Sequence, residues 1–321
     1  MHVLDSLVGN LMVPTILFFV LGLVAAVVRS DLSIPAGAAK FMSLYLLLAI
    51  GFKGGHSLSD HGLGADLFLA LGAGFALSLL IPFIAFALLR AVTRLNALNA
   101  AAVAGHYGSI SIVTFVAASS LLDLAGIASD GYMVAVAATM EVPAILSALW
   151  IAHRYGSPEG SGTVPLRELF ANGSIVLLTG AFVIGALTQD KGMEMIAPFV
   201  VTPFTGILCL FLLDMGLSAG RSLLQNRHLL SAGLFAFGVL MPMIGAMLAW
   251  GVGAAIGLQT GSLFLLMVLS ASASYIAVPA AMKIALPQAE AGIYLTLSLG
   301  VTFPFNITLG LPMYLWLAGL G

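Results

Sequence analysis

Long apolar runs, separated by short clusters of charge, Gly and Pro, dominate the chain. A helix needs ~20 apolar residues to cross the hydrocarbon core of a bilayer. Read at that length, the pattern predicts ten spans, at 10–29, 38–55, 66–90, 98–122, 131–152, 171–188, 196–218, 229–256, 261–285 and 291–319. The runs are continuous rather than alternating, which points to helices and away from an outer-membrane barrel. No connecting segment is long enough to fold as a separate soluble domain.

Composition agrees with the pattern. Of 321 residues, 61% are hydrophobic and 7% charged, against about 25% charged in soluble domains. A soluble enzyme is excluded, and so is disorder, which needs low hydrophobicity and high charge. With 11 Lys+Arg against 13 Asp+Glu there is no basic surface for nucleic acid. The single Cys209 allows neither an internal disulfide nor a cysteine metal site. What remains is an all-α polytopic membrane protein whose outer surface meets lipid.

The cations orient it. Loops after odd-numbered spans hold Arg29, Lys40, Arg90, Arg94, Arg154, Arg167, Arg221, Arg227 and Lys283, whereas the other side holds Lys53 and Lys191. The positive-inside rule then places the odd loops in the cytoplasm and both termini on the extracytoplasmic side. No Lys or Arg precedes Arg29, so the N-terminus does not read as a cleavable signal peptide.

The two halves match. Leu48, Gly51, Gly55, Ser57 and Leu58 recur as Leu213, Gly216, Gly220, Ser222 and Leu223 at an offset of 165. Pro82 recurs as Pro242 (offset 160), Ser109-Ile110-Ser111 as Ser272-Ala273-Ser274 (163), and Gly131 and Pro143 as Gly292 and Pro304 (161). Four matches in order at a nearly constant offset predict a duplication: residues 1–155 as one five-helix repeat, 156–170 as a short cytoplasmic linker, 171–321 as the second. Five spans is an odd number, so the second repeat enters the membrane inverted, the signature of many secondary transporters. A duplicated channel is the alternative.

Chemistry concentrates at matched places. The fourth predicted span carries Gly105-His106-Tyr107-Gly108-Ser109-Ile110-Ser111 and the ninth Ser270-Ala271-Ser272-Ala273-Ser274, followed by Pro279. Small residues at mid-membrane either let helices pack closely or mark broken helices that offer backbone groups to a solute. The matched positions favour breaks. Two half-helix N-termini can hold a small oxyanion without Arg or Lys, with the hydroxyls of Ser109, Ser111, Ser272 and Ser274 as further donors or acceptors. Glu141 lies in the fifth span, a depth at which a carboxylate is costly and functional by default. Its counterpart is Thr302, four residues before Asn306 and expected on one helical face with it. Together with backbone carbonyls these form an all-oxygen set suited to Na⁺. His106 beside Ser109 raises a hydrolase, but no nucleophile elbow and no orienting acid accompany them. His106 and Tyr107 read instead as lining a cavity or bonding to each other. Asp60, His61 and Asp66 read as a solvated loop rather than a metal site.

The strings Ser270-Ala271-Ser272-Ala273-Ser274-Tyr275-Ile276-Ala277-Val278-Pro279-Ala280-Ala281, Ile284-Ala285-Leu286-Pro287, Ile293-Tyr294-Leu295-Thr296 and Thr302-Phe303-Pro304-Phe305-Asn306-Ile307-Thr308-Leu309-Gly310 resemble the sodium-dependent bicarbonate transporter family known from cyanobacteria. The resemblance implies a ten-helix inverted repeat with crossing discontinuous helices four and nine, a core and a gate domain, and homotrimers in the inner membrane. It implies no enzyme and no cofactor, with Na⁺ as co-substrate of bicarbonate. Carried onto this chain, the substrate site falls at Gly108, Ser109, Ile110 and Ser111 and at Ala271, Ser272, Ala273 and Ser274. The sodium set becomes Glu141, Ser111, Ser274, Thr302 and Asn306. Family members carry an Asp before a hydrophobic residue and Pro where this chain has Glu141, so the acid is kept but lengthened. A PII-like cytoplasmic regulator is the further partner implied, although here the segment between the repeats is short. A proton-coupled exporter or antiporter of related architecture is the competing expectation.

Overall fold

The computed structural model describes residues 13–61, 64–156 and 173–319, apart from the side chains of 59–61, 174, 277, 280 and 284. Among these residues every regular element is helical. In order they are α1 (Pro14–Val27), α2 (Ala36–His61), α3 (Ala65–Val92), α4 (Ala97–Gly108), α5 (Ile112–Ala125), α6 (Met133–Thr139), α7 (Glu141–Tyr155), α8 (Gly173–Val200), α9 (Phe204–Asn226), α10 (Ala232–Ala255), α11 (Thr260–Ala271) and α12 (Ala277–Ala285). A last rod, α13, runs from Ala291 to Ala318. Each of the ten apolar runs falls on helix. Eight segments are long and apolar enough to cross a membrane. The other two carry shorter apolar helices, Pro14–Val27 and Thr260–Ala271, the second ending where the backbone turns extended at Ser272. The linker expected at 156–170 lies, from 157 onward, outside the described residues.

Two boundaries differ from the pattern. The sixth run does not end at residue 188. The backbone bends at Gln189 (φ 50°, ψ −146°) and helix resumes to Val200, so residues 196–200 belong to α8 and α9 starts only at Phe204. The cluster Gln189-Asp190-Lys191 reads as a terminus, but Met193 and Ile196 beyond it pack against the core and carry the helix on. In α13, residues Thr296–Thr302 and Asn306–Gly310 form π-helical turns. Pro304 between them has no N–H to give to the ladder, and wide turns accommodate such a loss.

By their closest partners the helices fall into two bodies, which also pack together along α9 and α13. α2 runs along α8, and α1 along α9, more extensively than any other pair. Glycine makes this possible. A Cβ at Gly55 would collide with the Phe182 carbonyl of α8, and one at Gly216 with the Phe19 carbonyl of α1. Close backbone approach through small residues is what drives helix association in lipid, where apolar side chains gain little by leaving it. The remaining helices form the second body, with α4 held between α3 and α7 and α11 against α10. Apolar side chains such as Phe68, Leu80 and Phe83 face outward, as a lipid solvent permits.

Matched positions of the two halves make matching contacts. Gly51 and Gly55 lie on α8, while their counterparts Gly216 and Gly220 lie on α1. Ser78 Oγ donates to the Met140 carbonyl at 2.6 Å, and Thr302 Oγ1 donates to that of Gly238, the counterpart of Ser78, at 2.7 Å. Glu290 N–H donates to Asn99 Oδ1 at 2.8 Å; reciprocally, Asp130 N–H donates to Ser262 Oγ at 2.9 Å, and that hydroxyl returns a bond to Asp130 Oδ2 at 2.6 Å. Among the described residues Arg29 and Gln189 have positive φ without being glycine; Arg29 follows the end of α1, and Gln189 marks the bend inside α8. Replacing Gly55 with Val should destabilise the protein by roughly 3 kcal/mol, the upper end for overpacking, read as lost monodisperse yield and a lower melting temperature in detergent. Gly72→Val, where an added side chain meets nothing within 4 Å, should leave both unchanged.

Candidate functional site

The fourth run breaks after Gly108. Ser109 is extended, and Ser111 caps the next helix by accepting the Thr114 N–H on its side chain. Both are residues that favour caps over helix interiors. Gly108 permits the close approach, since its Cα lies against Pro82 of α3. The ninth run breaks after Ala271 and resumes at Ala277, with Pro279 in the first turn of α12, where a missing N–H costs nothing.

The two breaks touch. Ser111 N–H donates to Ser272 Oγ at 2.8 Å, and Ser274 N–H donates to the His106 carbonyl at 2.8 Å. Ser272 Oγ donates in turn to the Leu269 carbonyl at 2.9 Å. Asn306 Nδ2 donates to the carbonyl of Ala271, the last residue of α11, at 2.9 Å. Carbonyls left over at the ends of α4 and α11 are thus satisfied by the partner break and by α13, as the absence of water requires.

The fifth run carries a smaller interruption. α6 ends at Thr139 and α7 begins with Glu141; Pro143 has no N–H to bond back across the joint. Glu141 is 9% exposed, and Ser109 Oγ donates to its Oε2 at 2.8 Å. Its other neighbours include a cavity of about 20 Å³ at the crossing, room for about one water-sized particle. The breaks contribute Ile110, Ser111, Ser274, Tyr275 and Ile276 to its wall, and Glu141 and Ala138 contribute one side. Leu47 of α2 and Ile175 and Leu178 of α8 close it from the other body. Ile112, the first residue of α5, also lines it, and the amides of a helix's first turn have no intrahelical acceptor. One small space therefore combines helix N-termini, serine hydroxyls and a carboxylate, with no basic side chain among its lining residues.

The expected residues separate into two groups. Ile110, Ser111, Ser274 and Glu141 line the cavity. Gly108, Ser109, Ala271, Ser272 and Ala273 lie behind it, and their polar groups build the crossing. Thr302 and Asn306 are not brought to the cavity wall. Thr302 is bonded to Gly238 and, at 2.6 Å, to the Tyr107 hydroxyl; Asn306 holds Ala271 and accepts from the Tyr314 hydroxyl at 2.9 Å. The backbone between them keeps α-helical geometry and both are buried, but other partners take their polar groups. His106 and Tyr107 do not bond to each other. His106 Nδ1 pairs with the Ala102 carbonyl at 2.7 Å, and its ring stacks on Tyr294 with centroids 4.4 Å apart. No carboxylate orients it, so the pairing a hydrolase needs is not formed. Among the described residues no group of three or more His, Cys, Asp or Glu can hold a metal ion; the side chains of Asp60 and His61 lie outside them. Sequence reasoning missed Tyr275 and the apolar closers Leu47, Ile175 and Leu178. The apolar three carry no signal among so many apolar residues, and Tyr275 is marked only by its place beside Ser274.

Asn306→Leu should leave the Ala271 carbonyl without its donor, lowering stability by about 1–3 kcal/mol, the cost of an unsatisfied buried group. Thermal melting should show the same loss with and without Na⁺; a loss that appears only when Na⁺ is present would make Asn306 a ligand of the ion.

Comparison with known proteins matches residues 14–319 to the family described as the Na⁺-dependent bicarbonate transporter superfamily, and finds no match among curated proteins. That match spans every described helix, from α1 to the end of α13, and with it the crossing and its cavity. The apolar helices and the family together make this a multi-pass membrane protein: the chain belongs to the Na⁺-dependent bicarbonate transporter superfamily.

Proposed function

We propose that the protein imports bicarbonate, or a similar small oxyanion, by symport with Na⁺ across the inner membrane, with both termini outside. The observation that carries this reading is the cavity where the breaks of two spans meet Glu141. Helix N-termini supply positive potential and free amides for an anion. Glu141 and Ser274 supply side-chain oxygens for Na⁺, a hard cation bound through oxygen; Ser111, expected as a third, has the lone pairs of its hydroxyl taken by Thr114. Thr302 and Asn306, expected as sodium ligands, serve in this reading to position the crossing.

The matched contacts of the two halves support an arrangement of ten helices as inverted five-helix repeats. The pairs α1–α9 and α2–α8 form the gate, and the rest form the core. Leu47, Ile175 and Leu178 are gate residues that close the site, so access requires the bodies to separate, as in rocking or sliding transporters. At the end that the charge distribution assigns to the outside, Lys53 of α2 pairs with Asp123 of α5 at 2.9 Å, joining gate to core there. A homotrimer and a PII-like cytoplasmic regulator belong to this proposal through the family alone.

Coupling follows from charge. An inside-negative potential opposes anion entry by about 2.3 kcal/mol per 100 mV, and one accompanying Na⁺ cancels that cost. A tenfold Na⁺ gradient then supplies about 1.4 kcal/mol per ion. A cation beside the anion also strengthens its binding, so the two should bind cooperatively.

The buried carboxyl of Glu141 favours one competing reading, in which it carries a proton in a proton-coupled exporter or antiporter. Uptake of labelled bicarbonate into proteoliposomes decides between them. The wild type should respond to a Na⁺ gradient, and Glu141→Gln should need at least tenfold more Na⁺ for half-maximal uptake. An unchanged Na⁺ response in the mutant would remove Glu141 from the sodium site, and wild-type transport that follows pH and ignores Na⁺ would establish the proton-coupled alternative.

A further inference from the structure

Tyr275 sits in the break between α11 and α12, and its ring packs edge-on against Phe303 with centroids 5.2 Å apart. The matched position in the first half is Ile112, which has no polar group. Tyr275 lines the same cavity as Ser111, Ser274 and Glu141. Its hydroxyl oxygen is buried and makes no hydrogen bond. Buried hydroxyls in native proteins nearly always find a partner, so an orphan beside a cavity calls for one.

A count of protons says which kind of partner. A serine hydroxyl has one proton and two lone pairs. Ser111 Oγ accepts from Thr114 N–H at 3.2 Å and from Thr114 Oγ1–H at 2.9 Å. Both lone pairs are used, and Ser111 has only its proton left to give. Ser111 is a polar side chain near the Tyr275 hydroxyl. The phenol can therefore receive a proton from Ser111 but has no acceptor there for its own. What it has unspent is a proton without an acceptor, and a hydrogen bond from that proton can be taken by an anion but not by Na⁺. Glu141 is the reverse: ionised, it only accepts, and Ser109 already donates to one of its oxygens.

We infer that the Tyr275 hydroxyl donates a hydrogen bond to the transported oxyanion, as a specificity-determining residue on the anion side of the cavity, opposite in chemistry to Glu141. The inference rests on the transport reading above and names a side-chain ligand for its anion. A site built to give a hydrogen bond rejects ions that cannot take it well, so Tyr275 selects oxyanions with directional lone pairs over halides.

Tyr275→Phe removes the hydroxyl and keeps the ring. In proteoliposomes with a Na⁺ gradient, the KM for labelled bicarbonate should rise about tenfold, the factor for one hydrogen bond of ordinary strength. Half-maximal Na⁺ at saturating bicarbonate should stay as in the wild type, and excess chloride should compete better than before. Without ligand the mutant should melt no lower than the wild type, because it deletes an unsatisfied group, but bicarbonate should stabilise it less. Tyr275→Leu, which also removes the packing on Phe303, should melt lower and so mark what a structural defect looks like. A Tyr275→Phe protein with wild-type KM, or with a changed Na⁺ requirement and an unchanged KM, overturns the inference and leaves the transport reading standing. A wild-type protein that takes up no oxyanion on a Na⁺ gradient overturns both.

Discussion

A backbone N–H or C=O in the hydrocarbon of a bilayer has no water to bond, and leaving one unpaired costs several kcal/mol. Two helices that stop and restart at mid-span are therefore permissible only where something else meets their loose ends. Here each break answers the other. The Ser111 amide finds Ser272, the Ser274 amide finds the carbonyl of His106, and α13 sends Asn306 to the carbonyl of Ala271. The crossing explains why so many serines collect at one depth, and why neighbouring spans supply glycine and proline where the chains come closest. It also fixes where helix N-termini with open amides can exist at all, since such ends form only at interruptions.

Much of this was legible in the sequence because satisfaction of the backbone leaves a compositional trace. Serine caps, a glycine that clears a proline, and a proline in a first turn are residue choices that a continuous helix does not favour, and the serines recur at an offset of 163 in the two halves. The carboxylate of Glu141 was legible for a different reason, namely that its cost at that depth demands a use. What could not be read depends on geometry that composition does not encode. The spacing of Thr302 and Asn306 predicts a common buried face, but not that Gly238 and Ala271 take their polar groups ahead of the cavity. The bend at Gln189 looks like a terminus because charge interrupts the run, whereas tertiary packing of Met193 and Ile196 continues the helix. Tyr275 stood in the most informative string of the chain, yet only coordinates reveal that its hydroxyl is unspent.

The division into two bodies follows from how each is held together. α1, α2, α8 and α9 cohere through glycine-mediated backbone contact at Gly51, Gly55, Gly216 and Gly220. The second body coheres through the hydrogen bonds of the crossing and through the reciprocal pairs Asn99–Glu290 and Ser262–Asp130. Across the cavity, by contrast, Leu47, Ile175 and Leu178 offer only apolar side chains. Apolar contact is non-directional and tolerates sliding, while the bonds within each body do not. The contact across the cavity is thus of a kind that can slide, which the transport reading proposed above requires.

Symmetric scaffolds bind only symmetric ligands unless their equivalent positions are chemically different, and two oppositely charged solutes are not symmetric. In this chain the repeat-matched positions diverge where such a pair would lie. Glu141 answers to Thr302, and Tyr275 answers to Ile112. Ser109 gives its hydroxyl to the carboxylate, whereas its counterpart Ser272 returns its own to the backbone of Leu269. The outer ends differ as well: Lys53 and Asp123 form an ion pair, and the matched positions hold Ser218 and Leu286. On the reading proposed above, a duplicated frame would supply two halves that exchange conformations, and these differences would give the shared site a donor side and an acceptor side and two unequal exits. On the symport reading, the first difference allows anion and cation to occupy one small space together, and the second gives the cycle a preferred resting side.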